Sequence, residues 1–145
     1  MCIRDSASYI LVPGEAPQSA TDTLVSLAKS MGFGTIKYCT QQKHDRMIAY
    51  TSQIPHVLAC AYVMSPRCDE HSGFSAGSYR DVSRVARINA DLWADLFLAN
   101  REELADETEE LVRNIERIRA AVAKNDRAEL VALLSSAREK KEKFG

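Results

Sequence analysis

No apolar run in this sequence is long and unbroken enough to cross a bilayer. Nor does one sign of charge dominate. Nineteen Lys and Arg stand against 20 Asp and Glu, a net charge of −1, so no global field favours nucleic acid or an acidic membrane. The four cysteines, at positions 2, 39, 60 and 68, have no CxxC spacing and follow no secretory signal. That pattern argues against a disulfide framework and against zinc, and for reduced thiols in a cytoplasmic protein. What remains is a chain with ample aliphatic content for a core and a length that bounds it to one domain, or one domain with a fragment of another.

The most informative stretch is residues 44–64, HDRMIAYTSQIPHVLACAYVM. At a helical period His44, Ile48, Ser52 and His56 drift round one side, so polar groups share a face of an otherwise apolar helix. Pro55 interrupts that pattern by removing a donor and crowding the preceding turn, which predicts a kink tilting His56 relative to His44. Polar groups on a buried helix need partners, so the helix reads as a pocket wall as well as a core element.

Before it, residues 1–6 (MCIRDS) fit no element and read as a non-native leader. Residues 9–13 form a short buried strand, and residues 19–31 an amphipathic helix with Leu24, Leu27 and Ala28 on one face, closed by Gly32. Residues 34–39 are β-branched and alternating, a second strand. A strand, a crossover helix and a strand suit parallel pairing, yet two strands make a poor sheet with open edges. Residues 7–40 therefore read as the end of a larger α/β domain.

From residue 41 every element is expected to be helical. An irregular segment over 65–77 leads to Ser78, which is placed to cap a helix over 79–88 with Asp81 three residues on. Asn89 caps a short helix, and Asn100 with Glu103 opens a long one to about Lys124 with Leu104, Leu111, Ile115, Ile118 and Val122 in a stripe. That stripe is either ordinary core or a subunit interface. Asp126 and Glu129 begin a last helix with Leu130, Leu133 and Leu134 facing inward.

Arg80, Arg84 and Arg87 recur at helical spacing. Guanidinium groups bind carboxylates as planar forks, so these arginines, the two histidines and Trp93 would suit a small anionic, ring-shaped ligand. The same spacing also describes a solvated helix face. Arg87 reads as a structural ion-pair residue, and His71, in the irregular loop, as non-catalytic.

The blocks HDR-x-I-A-x-x-S-x-x-P-H (residues 44–56), G-x-x-R-D-x-S-R-x-A (77–86) and N-x-x-L-W (89–93), in that order, resemble the C-terminal half of bacterial prephenate dehydrogenases and the related arogenate and cyclohexadienyl dehydrogenases. The resemblance implies a mainly α fold: an all-helical dimerisation and substrate domain over 41–145, preceded by a short β-α-β remnant of a Rossmann-type domain. It implies NAD- or NADP-dependent oxidative decarboxylation of prephenate to 4-hydroxyphenylpyruvate in tyrosine synthesis, with arogenate as the alternative substrate, in a homodimer open to feedback by tyrosine.

On the matching positions, Arg84 would hold the ring carboxylate, with His56 and Ser52 beside the substrate and Trp93 lining the pocket. His44 and Asp45 match an HD pair at the entrance of the first helix. Gly77, Arg80 and Asp81 match a loop and helix start that close over the ligand, often from the partner subunit. Many relatives read SHLPH where this chain has SQIPH, so Gln53 cannot titrate near neutrality. No G-x-G-x-x-G loop occurs anywhere in the chain. NAD is therefore expected to bind a domain outside this sequence, and the chain alone, without the catalytic histidine, to be inactive. A non-catalytic helical dimerisation module is the alternative.

Overall fold

The structure is a computed structural model that describes residues 7–144; the leader reading of residues 1–6 lies outside these. Strand β1 (Ser8–Leu11) and strand β2 (Thr35–Tyr38) pair in parallel, Tyr9 opposite Ile36, through the crossover helix α1 (Gln18–Ser30). Gly32 ends α1 at φ +87°, a conformation that costs glycine little. Helix α2 (Gln41–Ile48) follows directly, capped by the Thr40 hydroxyl accepting from the Lys43 N–H.

Pro55 is not absorbed by a simple kink. Residues Ala49–Gln53 widen into a π turn in which the Ile54 N–H reaches the Ala49 carbonyl five residues back. Helix α3 (Ile54–Val63) then starts with Pro55 in its first turn, where a missing donor costs little. A 3₁₀ turn (Pro66–Glu70) and a loop lead to α4 (Gly77–Ser83), which passes into a second 3₁₀ turn, Arg84–Ala86. This element is shorter than its sequence predicts and begins at Gly77, after Ala76, with no side-chain cap, leaving Ser78 inside the helix.

Helix α5 (Ala90–Ala99) is capped as expected, with the Asn89 side chain accepting from the Leu92 N–H. Helix α6 (Arg101–Ala123) is the longest element, and α7 (Arg127–Phe144) folds back on it after Asp126 accepts from the Glu129 N–H. Exposed ion pairs run along α6; the Arg113 hydrogen bond holds the Glu110 carboxyl below its ordinary range, and Arg119 does the same for Glu116. No strand follows residue 40 among the described residues.

The interior is built from small residues. Ala28, Ala49 and Ala59 are fully buried and Ala121 nearly so, while no large side chain among the described residues is fully buried. Alanine lets helices approach closely, but it leaves larger apolar side chains outside the contact. Leu24 and Leu27 of α1 and Ile115, Ile118 and Val122 of α6 are exposed, and Leu134 of α7 is exposed against the inward placement its spacing predicts. The exposed surface is 11452 Å²; a compact folded chain of this mass exposes about 7,400 Å². The chain's own core thus leaves much of its apolar stripes uncovered.

Asn125, between α6 and α7, has a φ of +52°. Asn tolerates the left-handed region, whereas a β-branched residue pays for it. Asn125→Val is expected to lower stability by about 1–2 kcal/mol in urea unfolding, and Asn125→Gly to change it by only a few tenths.

Candidate functional site

The π turn and α3 carry the densest set of the residues singled out by the sequence. The His56 Nδ1 lies 2.7 Å from the Ser52 carbonyl oxygen, one turn back. A carbonyl only accepts, so Nδ1 carries the proton and Nε2 is the nitrogen left for other partners. The imidazole stacks on Trp93 of α5, with centroids 3.7 Å apart and planes at 29°, and Phe97 meets the indole edge-on at 5.5 Å. Ser52, His56 and Trp93 are all half-buried. These three are brought together as expected.

One residue in the same turn escaped the sequence reading. Gln53, noted only as unable to titrate, is buried at 4 % exposure. Its Nε2 donates to the Leu96 carbonyl at 3.0 Å, and its Oε1 accepts from Asn100 Nδ2 at 2.9 Å. That same nitrogen donates to the Asp45 carbonyl, also at 2.9 Å. Asn100 therefore occupies the position before α6 without capping it by its side chain. A buried glutamine with polar residues forty positions away was the available signal; its partners were not readable from spacing.

His44 and Asp45 pair through Nδ1 and Oδ1 at 2.9 Å, each about one-third exposed. They face different cavities. His44 lines a mostly apolar one of about 470 Å³ with Ile10, Tyr38, Lys43 and Met47, between the strands and α2. Asp45 lines a polar one of about 670 Å³ with Asn100, Arg101 and Glu103.

Gly77, Arg80 and Asp81 sit on α4 and are exposed. Arg84, in the 3₁₀ turn, is exposed too, and that turn packs on α3, the helix of His56. Among the described residues the Arg84 guanidinium has no hydrogen-bond partner. Arg87 likewise forms no ion pair among them, contrary to the structural role assigned from its spacing.

Behind α4, the Tyr79 hydroxyl lies 3.4 Å from Cys68 Sγ, and this hydrogen bond raises its pKa above the usual tyrosine range. The His71 ring lies 4.4 Å from Tyr79 and its Nδ1 is buried without a partner among the described residues. This cluster pins the irregular loop to the arginine-bearing helix.

A dinucleotide has no fitting cradle here. The turn from β1 into α1 reads Val-Pro-Gly-Glu-Ala-Pro, and α1 begins after Pro17, which lacks an N–H, with no acid-free glycine-rich loop ahead of it. No group of three metal-ligating side chains occurs among the described residues, and no described helix is long and apolar enough to cross a membrane.

A parallel β-α-β unit followed by a helical bundle defines the class: a helical domain of the kind that follows a Rossmann-type unit. Residues 40–136 match the family described as prephenate dehydrogenase, dimerization domain, and the chain belongs to that family. It is 28% identical over 141 residues to the prephenate dehydrogenase of Bacillus subtilis, covering 93% of this chain and 38% of that protein. It is 31% identical over 124 residues to the cyclohexadienyl dehydrogenase of Zymomonas mobilis, covering 81% of this chain and 42% of the relative.

Among solved structures, Synechocystis arogenate dehydrogenase superimposes with a TM-score of 0.82 at 21% identity, covering 96% of this chain and 52% of that one. The A. aeolicus prephenate dehydrogenase in complex with hydroxyphenyl propionate and NAD+ gives 0.79 at 22% identity, covering 97% and 51%. These structures share the fold. The chain spans about half the length of the solved relatives and about two-fifths of the two curated ones.

Trp93 is the sole tryptophan, so its emission reports the stack directly. His56→Phe is expected to raise that emission while leaving the far-ultraviolet circular dichroism unchanged; steady-state fluorescence checks this.

Proposed function

We propose that this chain is the substrate-binding and dimerising part of a prephenate dehydrogenase, an enzyme that oxidatively decarboxylates prephenate using NAD. In this reading residues 7–40 close a nucleotide-binding domain and 41–145 form the helical domain. The observation that carries it is the convergence on α3: Ser52, His56 and Trp93 share one surface, and the turn bearing Arg84 packs on the same helix. Membership of the family supplies the chemistry that such a surface would serve.

Each side chain then has a task set by its chemistry. Arg84 holds the ring carboxylate through a charge-assisted fork, and its exposure in the single chain leaves it open to a ligand. His56, fixed by its bond to Ser52, presents Nε2 toward the substrate, and Trp93 backs the imidazole so that it cannot rotate away. Gly77, Arg80 and Asp81 belong to the helix start that closes the pocket, and the His44–Asp45 pair to its entrance. Hydride acceptance is the cofactor's chemistry, and the residues present do not build its cradle. The exposed apolar stripe of α6 fits a homodimer interface. Feedback by tyrosine would act at the same pocket.

Incubated with prephenate and NAD, the chain alone is expected to form no NADH above background; turnover would overturn the division of labour. In the complete enzyme, Arg84→Ala is expected to weaken prephenate binding about 10- to 100-fold. Hydroxyphenyl propionate carries no ring carboxylate, so its affinity should stay within about twofold. Equal losses for both ligands would remove Arg84 from that role. Arogenate is the second substrate to assay, because relatives of both specificities match.

A further inference from the structure

We infer that buried Gln53 and half-buried Asn100 form a positioning device, an amide pair that holds in register the three helical segments carrying the pocket side chains. The placement of those segments supports it. Gln53 follows Ser52 and precedes His56 by three residues, at the junction of the π turn and α3. Its Nε2 donates to Leu96, three residues beyond Trp93 on α5, and its Oε1 accepts from Asn100, where α6 begins. Asn100 in turn donates to the carbonyl of Asp45, the partner of His44 on α2. One side chain and its neighbour thus connect the supports of His44, Ser52, His56 and Trp93.

The chemistry demands a particular residue type at position 53. The site needs one donor, for the Leu96 carbonyl, and one acceptor, for the Asn100 amide, on a single uncharged side chain. Glutamine supplies both. Glutamate has the same shape but only acceptors, and its carboxylate would confront the Leu96 carbonyl in a buried position. A neutral imidazole offers one donor and one acceptor and so preserves the pairing. Neither Gln53 nor Asn100 needs to touch a ligand; they act through the residues they hold. Their effect on substrate affinity rests on the proposed function, whereas their effect on the His56–Trp93 stack does not.

The test uses the chain itself at about pH 8, where an imidazole is neutral, and compares Gln53→Glu, Gln53→His and Asn100→Ala with the parent. Emission from Trp93 is read against the His56→Phe value, alongside thermal unfolding and calorimetric binding of hydroxyphenyl propionate. Gln53→Glu and Asn100→Ala are expected to unfold cooperatively, to move the emission at least halfway to the His56→Phe value, and to bind the analogue about tenfold more weakly. Gln53→His should restore emission and affinity to within about twofold of the parent.

Unchanged emission in folded Gln53→Glu or Asn100→Ala overturns the inference, as does a loss that Gln53→His fails to restore. Should Gln53→Glu not fold, Asn100→Ala decides by the same emission criterion. Should the parent bind no analogue, the functional reading fails while the emission still decides the positioning role.

Discussion

The amide pair of buried Gln53 and half-buried Asn100 is the constraint on which the helical half depends. A polar group removed from water costs about 1–3 kcal/mol unless it is paired, so an amide at 4 % exposure dictates where its neighbours lie. Here it dictates three at once: the Leu96 carbonyl, the Asn100 amide and, through Asn100, the Asp45 carbonyl. Apolar contact, such as that of buried Ala49 in the π turn, is non-directional and tolerates sliding. Directional bonds do not. The polar clip therefore supplies the uniqueness that a thin apolar interior lacks.

That thinness has its own logic. Ala28, Ala49, Ala59 and Ala121 are among the few buried apolar residues, with Leu11 and Leu104, while many leucines, isoleucines and valines stay exposed. A stripe such as Ile115, Ile118 and Val122 on a 23-residue helix is too regular to be incidental and too exposed to stabilise one chain. The same holds at the other end, where two parallel strands leave both edges open and Ile10, Val12 and Tyr38 exposed. In the proposed function the α6 stripe meets a second copy of the chain, in keeping with a family described by its dimerization domain.

Much of this was legible in local chemistry. Gly32 at the end of α1, Asn89 before α5 and Asp126 before α7 act as the sequence predicts, because capping is decided within three or four residues. The parallel strand pair followed from a crossover helix of suitable length. What failed depended on distance. Ser78 resembled a cap, yet α4 already starts at Gly77, one residue before it, while Asn100 resembled a cap and was claimed by partners 47 and 55 residues away. The π turn was hidden because one added residue per turn leaves no compositional mark, although Pro55 pointed to the place. Of the site, the meeting of Ser52, His56 and Trp93 was foreseen from motif order; the role of Gln53 was not, since only the folded chain shows which carbonyls it reaches.

The tautomer of His56 separates its task from that of Arg84. With Nδ1 committed to the Ser52 carbonyl, only Nε2 can meet a ligand, as an acceptor when the ring is neutral and as a donor when it is protonated. An imidazole so placed holds a carboxylate only when it has a proton to donate from Nε2, whereas a guanidinium is a donor fork as it stands. In the proposed function anion binding therefore falls to the arginine and orientation to the histidine. The stack on Trp93 enforces that division: a ring packed face to face at 3.7 Å cannot swing to offer Nδ1 without breaking both the stack and the bond to Ser52. In the proposed function a fixed imidazole at His56, joined to an exposed Arg84 on the adjoining turn, would offer the substrate a charge and a set geometry on one surface.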